Sequence, residues 1–554
     1  MSNSATARKQ TTVGLVSLGC AKNLVDSEIM LGSLIADGMI LTNDPAKADA
    51  LIINTCSFID AAQEESVEQI LESATYRDSK HRHQALIVAG CLSQRFREEL
   101  PKLLPEVDAF MGIDQVAQAG SLVRLAIAQR STRTPSLAPA TKKESVTARL
   151  AKLDAGSNHA KHDSTENLRG TPRFNKTKTV ATKSPALFDV TRRPAYIPDH
   201  TTPRFRLTPS HYAYVKIAEG CNHPCSFCTI PQMRGSHRSR PMDDIVAEAK
   251  RLISEGVREL NLISQDSTYY GMDLRQEHSR AISSPERFNA AAATLTADAP
   301  SLPNLLRALN SLRGDFWIRL LYTHPAHWTD TLIETIARCP KVARYVDMPL
   351  QHIHDNMLER MRRETDSRHI TDVIRRIRAG IPGITVRTTF IVGFPGETES
   401  AFESLMEFIR QTRFDRLGIF KYSKEEGTRA GNMAGQISES VKRKRHARAM
   451  AEQRKIASEL NAAKVGQKRF VLVEREATEK DLTGAQIHSW EHGFIRTSGP
   501  TTPIPSGRYF QARSDADAPD IDGRVYVRGR APVGDFCWVK IVGQTDYDLI
   551  AEPI

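Results

Sequence analysis

Apolar residues in the first part of the chain fall into short runs separated by amphipathic stretches. The runs at 13–18, 50–53 and 85–89 predict buried strands, and the patterns at 23–37, 58–75 and 95–102 predict helices between them. Strand alternating with helix implies an α/β unit with a mostly parallel sheet over residues 11–130. The rhythm returns on a larger scale within 208–464. Strands are predicted at 214–218, 260–264, 317–322, 344–350, 384–394 and 417–422, with helices at 242–255, 302–312, 330–337, 367–379 and 399–411. Six such units predict a partial (β/α)6 barrel, a fold whose chemistry sits at the C-terminal ends of its strands. A long charged helix over 438–463 leads out of it. From 466 to 554 the period drops to two, at 469–474, 493–497, 524–527 and 536–542, which predicts a small all-β barrel. The expected fold is therefore an α/β multidomain chain closed by an all-β module.

Two stretches break the pattern. Residues 131–207 are rich in Ser, Thr, Pro, Lys and Arg and show no sustained period, so they read as a basic, low-complexity insertion or linker. A shorter polar insertion near 273–300 follows the second barrel strand.

The net charge is +11, but residues 131–210 hold 15 Lys and Arg against 6 Asp and Glu, which leaves only +2 for everything else. The basic balance thus belongs to one segment, read as a solvated tether; a basic arm touching RNA or the ribosome is the alternative. Residues 466–554 hold 11 basic and 13 acidic residues, with acids at Asp515, Asp517, Asp520, Asp522, Asp535, Asp546 and Asp548. A surface of that sign repels phosphates and favours a basic partner. No apolar run approaches the ~20 residues that span a bilayer, and the polar first dozen residues are no secretory signal. No membrane association is expected, and a cytoplasmic location is.

Eight cysteines in a chain of 554 residues make no disulfide framework. Three of them form the run Cys221-Asn222-His223-Pro224-Cys225-Ser226-Phe227-Cys228, directly after the first predicted barrel strand. Soft thiolates select iron–sulfur clusters or zinc. A closed zinc site needs a fourth ligand, for which His223 and His237 are candidates. Three thiolates on a four-iron cluster instead leave one iron open for chemistry, whereas electron-transfer clusters take four. Cys20, Cys56 and Cys91 each follow one of the three early strands, so a parallel sheet would bring them to one edge. Three small buried thiols are the plainer reading. Cys339 and Cys537 read as packing residues.

The C-x3-C-x2-C run, with Phe227 before its last cysteine, resembles the radical S-adenosylmethionine superfamily. Gly19-Cys20-Ala21-Lys22-Asn23-Leu24-Val25-Asp26, Asn54-Thr55-Cys56 and Ala89-Gly90-Cys91 resemble the methylthiotransferase family, which joins a three-cysteine domain, a radical barrel and a C-terminal β-barrel called TRAM. The first of these strings, with Ile230-Pro231-Gln232-Met233-Arg234-Gly235 and Asp347-Met348-Pro349-Leu350-Gln351-His352, is similar to the branch that modifies an aspartate of a small-subunit ribosomal protein. The other branch modifies adenosine in transfer RNA. The resemblance implies two 4Fe-4S clusters, held by Cys20, Cys56 and Cys91 and by Cys221, Cys225 and Cys228, together with S-adenosylmethionine. It also implies a reductant such as flavodoxin or ferredoxin, and a sulfur donor. It places Ser264 and Gln265 against the methionine moiety, and the backbone of Phe227 and the strand end at Gly393 against adenine. Gly393 also suits a plain strand-to-helix turn. Arg319 and Arg387 lie inside strands and would be costly to bury unpaired; each either holds the cofactor carboxylate or pairs with a barrel acid. A non-catalytic, metal-containing RNA-binding assembly factor is the alternative from another class.

Overall fold

The computed structural model describes residues 10–132, 186–275, 284–482, 487–489, 494–496 and 507–554. Most of the low-complexity segment, 133–185, and residues 276–283 of the polar insertion lie outside the described residues.

The first unit is a six-stranded parallel sheet in the order Ile40–Leu41, Thr12–Ser17, Ala50–Thr55, Ala85–Gly90, Ala109–Met111, Leu187–Asp189. Neighbouring side chains of a strand point to opposite faces, and both faces are covered. Ile52 and Ile87 pack with Val25, Ile29 and Val123 of helices Ala21–Ala36 and Ala119–Thr132. Ile53 and Val88 pack with Val67 and Ile70 of helix Asp60–Lys80. This is why the strands read as unbroken apolar runs. The chain reverses its direction of travel across the sheet between Thr12–Ser17 and Ala50–Thr55, and such a switch point opens a crevice at the carboxyl ends of the strands.

Two expectations for this part are corrected. The helix expected over 95–102 is two short pieces, Cys91–Arg95 and Leu100–Leu103, the second started by Pro101. Residues 186–207, read as linker, are built into the fold. Leu187–Asp189 forms the outer strand of the sheet, and Thr191 accepts hydrogen bonds from Gln94 and Gln115. Arg204, buried, joins Glu28 of the first unit (2.5 Å) to Glu248 of helix Met242–Ser254 (2.7 Å). Its polar sequence hid a strap anchored by Arg204, whose charge is paired inside the fold.

The second unit has six parallel strands in two sets. Tyr212–Lys216, Glu259–Ile263 and Trp317–Leu320 form one; Tyr345–Asp347, Thr385–Val392 and Arg416–Lys421 form the other. A parallel bridge between Ile318 and Val342 joins them. The result is the expected partial barrel, sheathed by helices whose apolar stripes share one core. The 273–300 insertion carries helix Pro285–Ala293, whose Phe288 stacks on His327 at 4.2 Å between ring centres. One large apolar residue and a run of alanines give too weak a period to mark it.

The third unit is a closed barrel of Lys468–Glu476, Tyr509–Ser514, Val525–Arg528, Leu549–Pro553 and Phe536–Gln544. Phe494–Arg496, expected in it, pairs with Ile487–Ser489 instead. Tyr509–Ser514 was missed because it is buried on both faces, which removes the alternation: its Gln511 and Arg513 face a second buried surface.

That surface is the strand beginnings of the partial barrel. Glu259 accepts from Arg319 and from Arg513, each at 2.5 Å, and Arg513 also reaches Glu474 at 2.6 Å. Asp517 accepts from Arg416, Asp520 from the Tyr212 hydroxyl and Asp522 from the Tyr345 hydroxyl. Asp535 and Asp546 pair with Arg258 and Arg454. The acidic surplus of 466–554 is thus spent on docking inside the chain, and the inference from its sign to a basic partner falls.

Burial pushes the Glu259 carboxyl up, but Arg513 and Arg319 outweigh it and hold the group below its usual range. Arg513 does the same for Glu474, and Arg416 for Asp517, each against burial. Acids lowered in the fold stabilise it above the unfolded carboxylate range and lose that contribution as pH falls through their folded values. The docking is therefore expected to be flat with pH near neutrality and to loosen below about pH 4. Glu259→Gln, which takes the shared counter-charge from two buried arginines, is expected to cost on the order of 3–5 kcal/mol. Hydrogen exchange of the amides of 509–514 measures both effects; protection that is unchanged in this variant would show that the ion pairs do not carry the docking.

Candidate functional site

Three chain segments bring the first cysteine trio to the crevice at the switch point. Cys20 caps helix Ala21–Ala36, Cys56 follows Thr55, and Cys91 opens helix Cys91–Arg95. Gly19 and Gly90, each just before a cysteine, have φ of +83° and +92°, a region that favours glycine. A Cβ on Gly19 would lie 2.7 Å from Cβ of Cys56 and 3.0 Å from its Sγ, so the first two cysteine loops are in contact. Asn23 ties all three loops together. Its Nδ2 donates to Leu18 O (2.9 Å) and Thr55 O (2.8 Å), and its Oδ1 lies 3.8 Å from the Cys91 Sγ.

The second trio lies on the loop after Ala218–Glu219, at the mouth of the partial barrel. The loop is pinned where Ser226 donates through N and Oγ to Met361 O and Arg360 O. Ile230 N and Arg363 Nη1 approach the sulfurs of Cys228 and Cys225 at 3.4 and 3.5 Å.

The first unit spans the open seam of the barrel at this end. On the side of the first strand, Lys216 Nζ bonds Asp26 at 2.6 Å and Glu219 at 2.7 Å. Arg234, on helix Ile230–Arg234, donates to the same Asp26 (3.0 Å) and Glu219 (3.1 Å) and is only 1% exposed. On the side of the last strand, Arg95 reaches Glu425 at 2.7 Å, and Gln63 reaches it at 3.2 Å. The helix after the second cysteine loop thus reaches the first trio: Arg234 Nη2 stands 3.4 Å from the Cys91 Sγ.

Burial pushes the Cys91 thiol up against the pull of Arg234, and pushes Cys221 up further with help from Cys228 and Cys225. Cys228 is pushed up to about 12, by burial and then by Cys225. Thiols in this state become thiolates when a metal displaces the proton. The donor sets fit clusters better than single ions. Among the described residues, the one group of three ligand side chains whose donor atoms lie within 4.8 Å of each other is His223, His324 and His327, with no cysteine in it. His223 and His324 stack face to face, 3.8 Å apart and 17° from parallel, so their in-plane lone pairs do not converge on an ion. Because no cysteine belongs to that group and neither His223 nor His237 joins the thiols in another, neither completes a zinc site with them among the described residues. Among the described residues, several buried polar atoms without partners surround the trios, including Asn54 Oδ1, Ser57 Oγ, Thr229 Oγ1 and Gln265 Oε1. Each such atom costs about 1–3 kcal/mol unless something completes it, which fits a site built to receive bound groups.

The other expected residues separate into two groups. Ser264 and Gln265 stand at the mouth: Ser264 Oγ is 3.1 Å from Ser267 Oγ, and Gln265 Nε2 donates to Glu219 at 2.7 Å, two residues before Cys221. Phe227 packs at the mouth edge-on to Phe394, beside Met357 and Met361. Arg319 and Arg387 are corrected. Their guanidinium groups turn to the strand beginnings, Arg319 to Glu259 and the carbonyl of Asp515, Arg387 to Asp347 and Asp522, where they dock the C-terminal barrel. Gly393 is corrected too. A Cβ there would fall 2.3 Å from Cγ of Lys442, so the close approach it permits is to helix Glu439–Ala462, and Thr398 caps the following helix. Sequence reasoning assigned no role to Asn23, Lys216, Glu219, Arg234 or Arg95. Their signal was position alone, since each lies within six residues of a cysteine.

Comparison with known proteins agrees with this layout. Residues 12–112 match the Uncharacterized protein family UPF0004, 215–409 the Radical SAM superfamily and 505–554 the TRAM domain. The chain is 47% identical over 544 residues to the ribosomal protein uS12 methylthiotransferase RimO of Opitutus terrae, covering 98% of this chain and 96% of that protein. It is 44% identical over 543 residues to the protein of the same name from Akkermansia muciniphila, covering 98% and 99%. Among solved structures, a radical S-adenosylmethionine methyltransferase, TsrM, from Kitasatospora setae gives a TM-score of 0.44 at 14% identity, over 76% of this chain and 74% of that one. With all three regions matched in order and near full-length identity to these two enzymes, the chain belongs to the ribosomal protein uS12 methylthiotransferase family of radical S-adenosylmethionine enzymes.

Proposed function

We propose that this radical S-adenosylmethionine methylthiotransferase places a methylthio group on the β-carbon of an aspartate in ribosomal protein uS12, using two 4Fe-4S clusters and S-adenosylmethionine. The observation that carries the reading is the joining of a switch-point crevice that holds one cysteine trio to the barrel mouth that holds the other, with buried Arg234 bonded to the Cys91 sulfur and to Glu219, two residues before Cys221. The relatives' names supply the substrate.

Cys221, Cys225 and Cys228 would hold the cluster that binds S-adenosylmethionine, and Cys20, Cys56 and Cys91 the cluster that carries sulfur. Bound there, these groups supply reductive cleavage of S-adenosylmethionine to a carbon radical and the sulfur and methyl to be transferred. The chain's own contribution is placement and dryness. Asn23 holds three loops at fixed spacing, and Ser226 fixes the radical loop to the barrel. The first unit, docked on Lys216 and Glu425, closes the seam through which water would reach a reactive intermediate. Ser264 and Gln265, at the end of the second strand, are suited to receive the amino acid end of S-adenosylmethionine; the buried and unpartnered Gln265 Oε1 is the acceptor its ammonium would need.

Anaerobic reconstitution is expected to load roughly eight irons per chain. The variant with Cys20, Cys56 and Cys91 all replaced by alanine is expected to hold half that, still to form 5′-deoxyadenosine, and to transfer no methylthio group to uS12. Mass analysis of uS12 and of transfer RNA from cells lacking the enzyme separates the two substrate classes, and modified transfer RNA that disappears while uS12 stays modified would overturn the assignment. Gln265→Ala is expected to weaken S-adenosylmethionine binding about tenfold, or 1.4 kcal/mol, at unchanged iron content. Titration of the loaded protein with the cofactor measures this, and unaltered affinity would remove Gln265 from the site.

A further inference from the structure

Each cysteine loop sends an arginine across the interface toward the other. Arg95 lies four residues after Cys91, yet its guanidinium is bonded to Ser57 O, to Glu425 and to Glu426 O, the last two in the barrel. From there its charge acts on Cys228, alongside Arg363. Arg234 lies six residues after Cys228, yet its Nη2 bonds Asn23 Oδ1 at 3.1 Å, Asp26 at 3.0 Å and the Cys91 sulfur at 3.4 Å. Its Nη1 lies 3.1 Å from both oxygens of Glu219, two residues before Cys221.

The charges around Arg234 make this contact more than packing. Lys216 and Arg234 face Asp26 and Glu219, two cations against two anions, all buried and mutually bonded. A Cys91 thiolate would add one negative charge to a balanced set, and the nearest donor aimed at its sulfur is Arg234. A hydrogen bond from a cation to a ligand sulfur lowers the cost of added negative charge, so it favours the reduced state of whatever metal group that sulfur holds. The donor comes from the other unit, so the N-terminal trio has its full electrostatic surroundings only when docked on the barrel.

We infer that Arg234 is a positioning residue that tunes the N-terminal cluster from the radical barrel, by donating to the Cys91 sulfur while its other face anchors Glu219 ahead of Cys221. The inference rests on the two-cluster reading above.

The test uses the full chain, reconstituted without oxygen, with Arg234→Gln and Arg234→Lys made in two backgrounds. One background has Cys221, Cys225 and Cys228 replaced by alanine and keeps the N-terminal trio; the other has Cys20, Cys56 and Cys91 replaced and keeps the radical trio. Redox titration followed by electron paramagnetic resonance reads each remaining cluster. In the first background, at the potential that half-reduces the parent, Arg234→Gln is expected to leave about tenfold less of the cluster reduced relative to oxidised, or to lose its iron. Arg234→Lys is expected to recover part of the effect. In the second background neither change is expected to move the signal. An N-terminal signal unmoved by Arg234→Gln overturns the inference. So does an equal shift in both backgrounds, which would route the effect through Glu219, and so does loss of iron from both trios, which would make Arg234 merely structural. A parent chain that binds only about four irons would instead overturn the two-cluster reading itself.

Discussion

Everything at the site depends on one buried set of four charges. Asp26 comes from the first turns of the helix that Cys20 caps; Lys216, Glu219 and Arg234 come from the end of the first barrel strand and the helix after the radical loop. Taking such groups out of water is expensive, and the cost is offset only when every partner is in place. Nonpolar residues of similar volume would hold two surfaces together with less penalty, but they would tolerate sliding. Charges bonded at 2.6–3.1 Å do not. They fix the position of Asp26 relative to Glu219, and so the position of Cys20 and Asn23 relative to Cys221. A reaction that needs two metal centres at a set separation requires that kind of rigid reference.

How much of this could be read from the sequence depended on burial pattern. Strands buried on both faces, such as Ala50–Thr55 and Ala85–Gly90, are continuous apolar runs, and each ends one residue before a cysteine. With a parallel sheet assumed, convergence of Cys20, Cys56 and Cys91 followed from geometry. The partial barrel was legible for the same reason, through six apolar runs with amphipathic helices between them. The failures at the docking surfaces involve charge buried against charge. Arg204 in the strap, Arg513 in strand Tyr509–Ser514, and Arg319 and Arg387 in the barrel look like solvent-facing or ligand-facing residues until their partners are known. Those partners lie 39 to 254 positions away, and no local pattern carries that distance. The C-terminal acids misled in the same way: their sum is net −2, but most are held in the docking surface, and a domain's formal charge is no guide to the face it leaves exposed.

The two ends of the partial barrel therefore use the same chemistry to different effect. At the strand beginnings the pairing is nearly complete: Glu259 serves Arg319 and Arg513, Asp522 serves Arg387 and Tyr345, and Asp517 serves Arg416. Complete pairing is what a permanent joint wants, since no group is left to bind anything else. At the strand ends the pairing is deliberately short. Gln265 donates through its amide nitrogen to Glu219 but leaves its oxygen bare, Thr229 and Ser57 keep unbonded hydroxyls beside cysteines, and the thiols of Cys91, Cys225 and Cys228 sit against donors from Arg234, Arg363 and Ile230. Polar groups left unfinished in a dry place carry a standing cost, and a fold retains that cost where a ligand is to repay it. The same barrel thus has a sealed end that holds the C-terminal module and an unfinished end that holds the chemistry. The N-terminal unit meets the unfinished end on both sides of the seam, so that the groups awaiting a ligand come from two units and are brought into register by the four charges on one side and by Arg95 and Glu425 on the other.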